Sequence, residues 1–207
     1  MSQTHPKIGV IIPSIPPRRS LLVRALASVG QQTLPPSELS VAVDIEQQGA
    51  PTTRQRALDG VPIGTSWIAP LDDDDEFLPF HLEALYAHAM ETGADYVYSW
   101  FELVASTGVS YGDHDPVFPP THFTNPFDPS EPIETTVTIL IRRELLEAVG
   151  YQALDRPEAY AAGASTGEDR NLTLRCIEAG ANISHLVRRT WRWHHHGRNT
   201  SGRPDRW

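Results

Sequence analysis

The strongest chemical feature of this sequence is a run of five acidic residues, DDDDE at positions 72–76, directly after an apolar segment. In extended backbone, residues two apart point to the same side, so we expect the carboxylates of Asp72 and Asp74 to point together. Neighbouring carboxylates repel one another unless water or a cation lies beside them. Because hard oxygen ligands suit Mg²⁺ and Mn²⁺, ions that also bind substrate phosphates, the run predicts a divalent metal site. The alternative is a solvated acidic turn that stabilises the start of the following helix.

Asp44 and Arg54 are polar residues near the end of another predicted strand. Asp44 follows the apolar run at 39–43, where its carboxylate could accept a hydrogen bond from a nucleobase N–H or a ribose hydroxyl. Arg54, in the string PTTRQRAL, could reach back over the same edge of the sheet. The simpler alternatives are a turn or capping aspartate and a surface arginine.

Glu168 and Asp169 begin a predicted helix in the second half of the chain. A carboxylate there could act as a general base, taking a proton from a hydroxyl as that hydroxyl attacks. Acidic residues are also common as caps at helix starts, which is the structural alternative.

Three consecutive histidines occupy positions 194–196. Alternation along an extended chain would place His194 and His196 on one face. One imidazole could complete a carboxylate metal site or bind a phosphate. Surface histidines are the alternative, and a cloning tag is disfavoured because the run is short and is followed by GRNTSG.

The hydrophobic pattern of the first half predicts the elements that must position these groups. Short apolar runs rich in β-branched residues predict strands at 8–12, 39–43 and 67–71, each buried on both faces. Helical spacing predicts helices at 21–30, 53–58 and 79–92 between and after them. Strands and helices that alternate in this way indicate an α/β fold with a parallel sheet, in which ligands bind at the carboxyl ends of the strands.

The second half has a looser pattern. It predicts strands at 96–104, 109–111, 135–141 and 183–187, and helices at 142–149 and 168–179. The proline-rich segment 112–132 and the segment 151–166 are predicted loops. From position 188 onward we expect a tail rich in aromatic, basic and histidine residues.

Length and composition set limits on the function. The 207 residues suit one domain, and 17 Lys and Arg against 26 Asp and Glu give a net charge of −9. That charge argues against a general nucleic-acid or anionic-membrane surface. Cys176 is the single cysteine, which rules out an internal disulfide and a cysteine-rich zinc site. We find no apolar stretch of transmembrane length and no secretory signal, so the expected location is cytoplasmic.

Taken in order, these segments resemble the family 2 glycosyltransferases, which have the GT-A fold. The matching strings are IGVIIPS, ALASVGQQTLP, SVAVD, TTRQRAL, WIAPLDDDDEFLPFHLE, VTILIRRELLEAVG, GEDRNLTLRCIEAG and WRWHHHGRNTSG, and they span residues 7–202. Each string is weak alone, whereas their order and spacing are specific. Short enzymes of this type are similar to sugar transferases found in actinobacteria and their bacteriophages.

The resemblance implies a Rossmann-like nucleotide-binding sheet with helices on both faces, and a mixed sheet with acceptor-side loops in the C-terminal half. It implies one domain over 1–207, in which residues 1–94 bind the nucleotide sugar and residues 95–207 form the acceptor and catalytic half. The implied activity is metal-dependent, inverting transfer of a sugar from a nucleotide-diphosphate sugar, with UDP-sugars favoured. The acceptor would be a hydroxyl of a protein, glycan or lipid, and the metal Mn²⁺ or Mg²⁺.

Residue by residue, the resemblance implies three groups of roles. The donor would contact Pro13, Ser14, Asp44 (at the nucleobase), Arg54, Asp72 (near the ribose and metal) and Asp73. The metal would be held directly by Asp74, with Asp75 as a further acidic residue and His194 or His196 near the metal and diphosphate. Asp169 would be the catalytic base. The chain departs from the family in having Ile-Pro-Pro at 15–17 in place of a tyrosine or asparagine, and one aspartate rather than two after the second strand.

Two other functions fit parts of this pattern. A sugar-phosphate nucleotidyltransferase also combines an α/β fold with metal-binding carboxylates, but it would usually show a glycine-rich basic loop where this chain has SIPPRRS. A non-catalytic module that binds sugars or cations through the acidic run would leave Asp44, Asp169 and the histidines unexplained.

Overall fold

The computed structural model describes residues 6–112, 123–130, 138–152 and 168–195. Seven strands and five α-helices, with one 3-10 turn, follow one another in these segments. In chain order they are β1 (Ile8–Ser14), the 3-10 turn (Pro16–Arg18), α1 (Arg19–Gly30), β2 (Glu38–Val43), α2 (Ala50–Asp59), β3 (Trp67–Pro70), β4 (Glu76–Phe77), α3 (His81–Thr92), β5 (Tyr96–Ala105), β6 (Ile139–Arg142), α4 (Arg143–Val149), α5 (Glu168–Glu178) and β7 (Ile183–His195).

The strands form one mixed sheet in the order β2-β1-β3-β6-β5-β7-β4. β1 pairs in parallel with β2 and β3, as the alternation of strands and helices predicts. β6 runs antiparallel to both β3 and β5, β5 and β7 are parallel, and β4 is antiparallel to β7. The parallel half therefore places the ends of β1, β2 and β3 along one edge of the sheet.

Apolar side chains are buried on both faces of the sheet, and each face has its own helices. On β1, Val10 and Ile12 belong to the cluster that includes residues of α1 and α3, whereas Ile11 belongs to the cluster with residues of α2, α4 and α5. Successive residues of a strand point to opposite faces, so a strand covered on both sides must be apolar throughout. The prediction of helices on both faces of the sheet is confirmed.

The prediction that the second strand is buried on both faces is wrong. β2 is an edge strand whose only strand partner among the described residues is β1. Its residues alternate between half-buried and exposed, and Leu39 is 46% exposed. An apolar run shows that a segment suits a strand, but the run does not reveal whether the strand lies in the centre of the sheet or at its edge.

The C-terminal part of the sheet also differs from its prediction. β7 does not end near Val187 but continues to His195, with shifts of its register against β5 around Trp100. β4, within and after the acidic run, was missed because it is two residues long and needs β7 as its partner. Of the predicted strand at 109–111, the structure shows one isolated bridge, between Val104 and Ser110. The described part of the strand predicted at 135–141 begins at Ile139.

Gly9 of β1 faces the turn that follows α2, and that contact explains its small size. A Cβ atom at Gly9 would lie 2.8 Å from Cγ1 of Val61 and 3.2 Å from Cγ2 of Thr65. We expect Gly9→Ala to overpack this contact and lower the free energy of unfolding by about 1–3 kcal/mol, measured by urea denaturation. Gly30→Ala is the matched control, because a Cβ there would meet no atom within 4 Å. An unchanged midpoint for Gly9→Ala would contradict this account of the packing.

Candidate functional site

In the acidic run 72–76, called here the acidic loop, residues 72–75 form a turn rather than extended backbone, and Glu76 begins β4. The N–H of Asp75 donates to the carbonyl oxygen of Asp72 over 3.1 Å, which closes the turn. The prediction that Asp72 and Asp74 point together because the chain is extended therefore gave the wrong reason. The turn itself brings carboxylate oxygens of Asp72, Asp74 and Asp75 within 4.8 Å of one another.

Asp73 is not part of that group, and its carboxylate contacts residues at and after the end of β1. Its carboxylate accepts hydrogen bonds from Oγ of Ser14 at 2.7 Å and Nη1 of Arg18 at 3.0 Å. Burial raises the pKa of Asp73 to about 6, with Asp74 adding to the rise, while Ser14 and Arg18 oppose it. Asp73 thus ties the acidic loop to the end of β1.

Two arginines that follow β1 surround the acidic loop. Nη1 of Arg18 lies 2.8 Å from Oδ2 of Asp74, in addition to its contact with Asp73. Arg24 donates to the backbone carbonyl of Asp74 over 2.6 Å, and its Nε lies 3.3 Å from Oε1 of Glu76. Neither arginine was predicted as a site residue, although Arg18 was visible in the basic string SIPPRRS directly after the first strand.

His194 reaches the acidic loop from the end of β7. Its backbone N–H donates to Oδ1 of Asp75 over 3.0 Å, and its Nε2 lies 3.3 Å from Oε2 of Glu76. Burial, together with the charges of Asp74 and Asp72, raises the pKa of Asp75 well above its usual range. Burial and the charge of Arg24 lower the pKa of His194. Among the described residues, the group of possible metal ligands is Asp72, Asp74 and Asp75, without His194. His196 lies outside the described residues.

Arg54 joins the acidic loop to the start of α5. It lies on α2, where a helix was predicted, and it is 4% exposed rather than a surface arginine. Its Nη2 contacts Oδ1 of Asp72 at 2.6 Å, and its Nη1 pairs with Glu168 and lies 3.7 Å from Oδ1 of Asp169. Although burial lowers the pKa of the guanidinium, Asp72 and Asp169 outweigh that effect and raise it, so Arg54 stays charged. Charged residues about a hundred positions apart in the sequence therefore meet in one cluster.

Asp169 and Glu168 differ in their access to solvent. The side chain of Asp169 is 34% exposed, whereas that of Glu168 is 12% exposed and turned toward Arg54. Of the two carboxylates, Asp169 is thus the one with more room for an incoming hydroxyl. Both belong to the first turn of α5, which fixes their position relative to Arg54.

Asp44 organises the loop that leads into α2. Its two carboxylate oxygens accept hydrogen bonds from the backbone N–H groups of Gln48, at 3.0 Å, and Gly49, at 2.7 Å. Gly49 has a φ of 88°, a conformation that favours glycine. The turn role was one of the two alternatives for Asp44, and its contact with a nucleobase stays a prediction. Pro13 is buried within β1, opposite Ala42 of β2.

The arrangement combines two chemical capacities in one place. The group formed by Asp72, Asp74 and Asp75 consists of carboxylate oxygens, which are the ligands that Mg²⁺ and Mn²⁺ prefer, so these residues fit such an ion. Arg18, Arg24 and Arg54 supply positive charge around the same loop. A cation site beside guanidinium groups can bind a diphosphate. Asp169, which also contacts Arg54, is a carboxylate that can accept a proton.

Comparisons with known proteins give a family match over part of this chain and a match of its fold. The family model described as "Glycosyl transferase family 2" matches residues 63–150. Comparison with curated protein sequences finds no match. In the part of the chain that the structure describes, no helix is both long and apolar enough to cross a membrane.

Solved structures of S. aureus TarS share the fold. TarS 1-349 in complex with UDP has a TM-score of 0.66 and 17% identity, over 91% of this chain and 60% of that one. TarS 1-349 in complex with UDP-GlcNAc has a TM-score of 0.67 and 18% identity, over 91% of this chain and 58% of that one. TarS itself has a TM-score of 0.66 and 18% identity, over 91% of this chain and 36% of that one. The chain thus spans about 60% of the length of TarS 1-349.

Proposed function

We propose that this chain, whose residues 63–150 match the family 2 glycosyltransferase model and whose fold is the GT-A fold, transfers a sugar from a nucleotide-diphosphate sugar to an acceptor hydroxyl. One observation carries the proposal: buried Arg54 pairs with Asp72 of the acidic loop and with Glu168 and Asp169 of α5. The carboxylates proposed for the donor and for the acceptor therefore lie on either side of the same arginine. The UDP and UDP-GlcNAc complexes of TarS support a UDP-sugar as the donor.

The metal part of the proposal rests on the acidic loop. Asp74 would be the direct ligand of Mn²⁺ or Mg²⁺, with Asp72 and Asp75 close enough to contribute oxygens. When bound, such an ion acts as a Lewis acid that offsets the negative charge of the diphosphate leaving group. His194 lies beside Asp75 and Glu76, which supports its proposed place near the diphosphate. His196 keeps that role as a prediction from the resemblance alone.

The catalytic part of the proposal rests on Asp169. Its half-buried carboxylate would take the proton of the acceptor hydroxyl as the hydroxyl attacks the anomeric carbon. Attack from the side opposite the diphosphate is a single displacement, which inverts the configuration of the sugar. Arg54 would hold the acidic loop and the start of α5 at a constant separation during this step.

The two halves of the chain would bind different substrates. Residues 1–94 contain Pro13, Ser14, Asp44, Arg54 and the acidic loop, which would bind the donor, and residues 95–207 contain Asp169 and would bind the acceptor. Ser14 already contacts Asp73, so a nucleotide at the end of β1 would adjoin the acidic loop. We further propose a protein, glycan or lipid acceptor and a cytoplasmic location.

A thermal-shift screen of nucleotide sugars, each with and without Mn²⁺, tests the proposal. A ligand at one hundred times its dissociation constant stabilises the native state by about 2.7 kcal/mol, which raises Tm by roughly 5–10 °C in a chain of this size. We expect the largest rise for a UDP-sugar with Mn²⁺, and a smaller rise after EDTA. If no nucleotide sugar raises Tm under any metal condition, the proposed function is wrong.

Product analysis separates the alternatives. A glycosyltransferase releases a nucleoside diphosphate, a nucleotidyltransferase releases pyrophosphate, and a binding module raises Tm without consuming the donor. We expect UDP as the released product when acceptor hydroxyls, including water, are supplied.

A further inference from the structure

Two of the three carboxylates of the candidate metal group, those of Asp72 and Asp74, are already paired with an arginine. Arg54 contacts Asp72 at 2.6 Å, and Arg18 contacts Asp74 at 2.8 Å. Because Asp74 is the proposed direct ligand, Arg18 is the positive charge with which a metal ion would compete most directly. The side chains of Arg18 and Asp74 are 14% and 7% exposed, so solvent screens their attraction only partly.

We infer that Arg18 is an exchange residue, which pairs with Asp74 before the donor binds and with the donor's diphosphate afterwards. This inference rests on the proposed function and assigns a further residue to the same site. A guanidinium and a divalent cation on one carboxylate repel each other, so Arg18 opposes the binding of the metal alone. A diphosphate supplies the oxygens that a released guanidinium requires, because the guanidinium fork matches phosphate geometry.

The position of Arg18 favours this exchange over a purely structural role. Arg18 ends the short 3-10 turn directly after β1, next to Ser14 and Asp73, where the proposed nucleotide would enter. Arg54 is held by carboxylates of both the acidic loop and α5, which suits a fixed support. Arg24 contacts Glu76 and the backbone carbonyl of Asp74, which suits support of the acidic loop as a whole.

The inference predicts effects of opposite sign on two ligands. In Arg18→Gln, Mn²⁺ added alone should bind more tightly, by about three- to tenfold, because a competing charge next to Asp74 is gone. In the same variant, UDP in the presence of saturating Mn²⁺ should bind at least about tenfold more weakly, because a charge-assisted contact is lost. Free Mn²⁺ is measured by electron paramagnetic resonance, and UDP binding by isothermal titration calorimetry.

Arg19→Gln is the matched control. Arg19 is the neighbouring residue and is exposed, so its substitution makes the same change in net charge away from the acidic loop. We expect it to leave both affinities near those of the wild type. Arg18→Lys keeps the charge without the fork, so Mn²⁺ affinity should stay near the wild-type value and UDP affinity should fall less than in Arg18→Gln.

The outcomes separate this inference from the proposed function. If Arg18→Gln weakens both ligands or moves neither, and Arg18→Lys behaves in the same way, Arg18 is structural and the exchange is wrong. If Arg18→Gln does not fold, a lysine variant that loses Mn²⁺ affinity overturns the inference, and one that keeps it while losing UDP affinity supports it. If the wild-type protein itself does not bind UDP or a UDP-sugar with any metal, the proposed function and this inference both fall.

Discussion

We expect Asp169→Asn to lower turnover by about 10²- to 10⁴-fold while the affinity for the donor stays close to that of the wild type. Asparagine has nearly the same shape as aspartate but cannot accept the proton of the acceptor hydroxyl. Arg54 keeps its pairs with Asp72 and Glu168 in this variant, so the acidic loop retains its support. The loss should therefore fall on kcat rather than on the binding of the nucleotide.

Steady-state kinetics with the donor identified by the thermal-shift screen provides the measurement. Glu178→Gln is the control, because Glu178 is exposed at the other end of the same helix and should leave kcat unchanged. Glu168→Gln tests the assignment within the pair: it removes a buried partner of Arg54, so we expect lower stability but a smaller loss of kcat. A full kcat in Asp169→Asn, or a larger loss in Glu168→Gln, would refute Asp169 as the base.

Asp74→Ala should weaken metal-dependent donor binding by at least about tenfold. The substitution removes the proposed direct ligand from a group of three carboxylates whose oxygens lie within 4.8 Å of one another. Arg18 keeps Asp73 as a partner, so the arginine is not left without a countercharge. The variant should bind UDP with little further loss when EDTA is added, because the metal-dependent part of the affinity is already gone.

Calorimetric titration of UDP with Mn²⁺ and with EDTA measures this effect. Asp59→Ala is the control, since Asp59 is an exposed aspartate at the far end of α2. The control should bind UDP like the wild type under both conditions. Unchanged UDP affinity of Asp74→Ala in the presence of Mn²⁺ would remove Asp74 from the metal site.

The amino-acid pattern by itself determined the first half of the fold and the candidate residues. β1, α1, α2, β3 and α3 are close to their predicted positions because hydrophobic spacing over a few residues depends on local geometry. The acidic loop could be identified for a similar reason, because its five carboxylates are adjacent in the sequence. The resemblance to family 2 glycosyltransferases depended on the order and spacing of these local strings, which can be read from the sequence alone.

Tertiary structure alone decided which charges meet. Nothing near position 54 indicates that Arg54 pairs with Asp72 and with Glu168, because that pairing depends on the order of strands and on where α5 begins. Arg18 likewise acquires its role only when the end of β1 lies beside the acidic loop. The length of β7 and the edge position of β2 follow from strand pairing over long separations in sequence. Local periodicity indicates which face of a helix or strand is apolar. The partner of a charged side chain depends instead on how segments that are distant in sequence pack together.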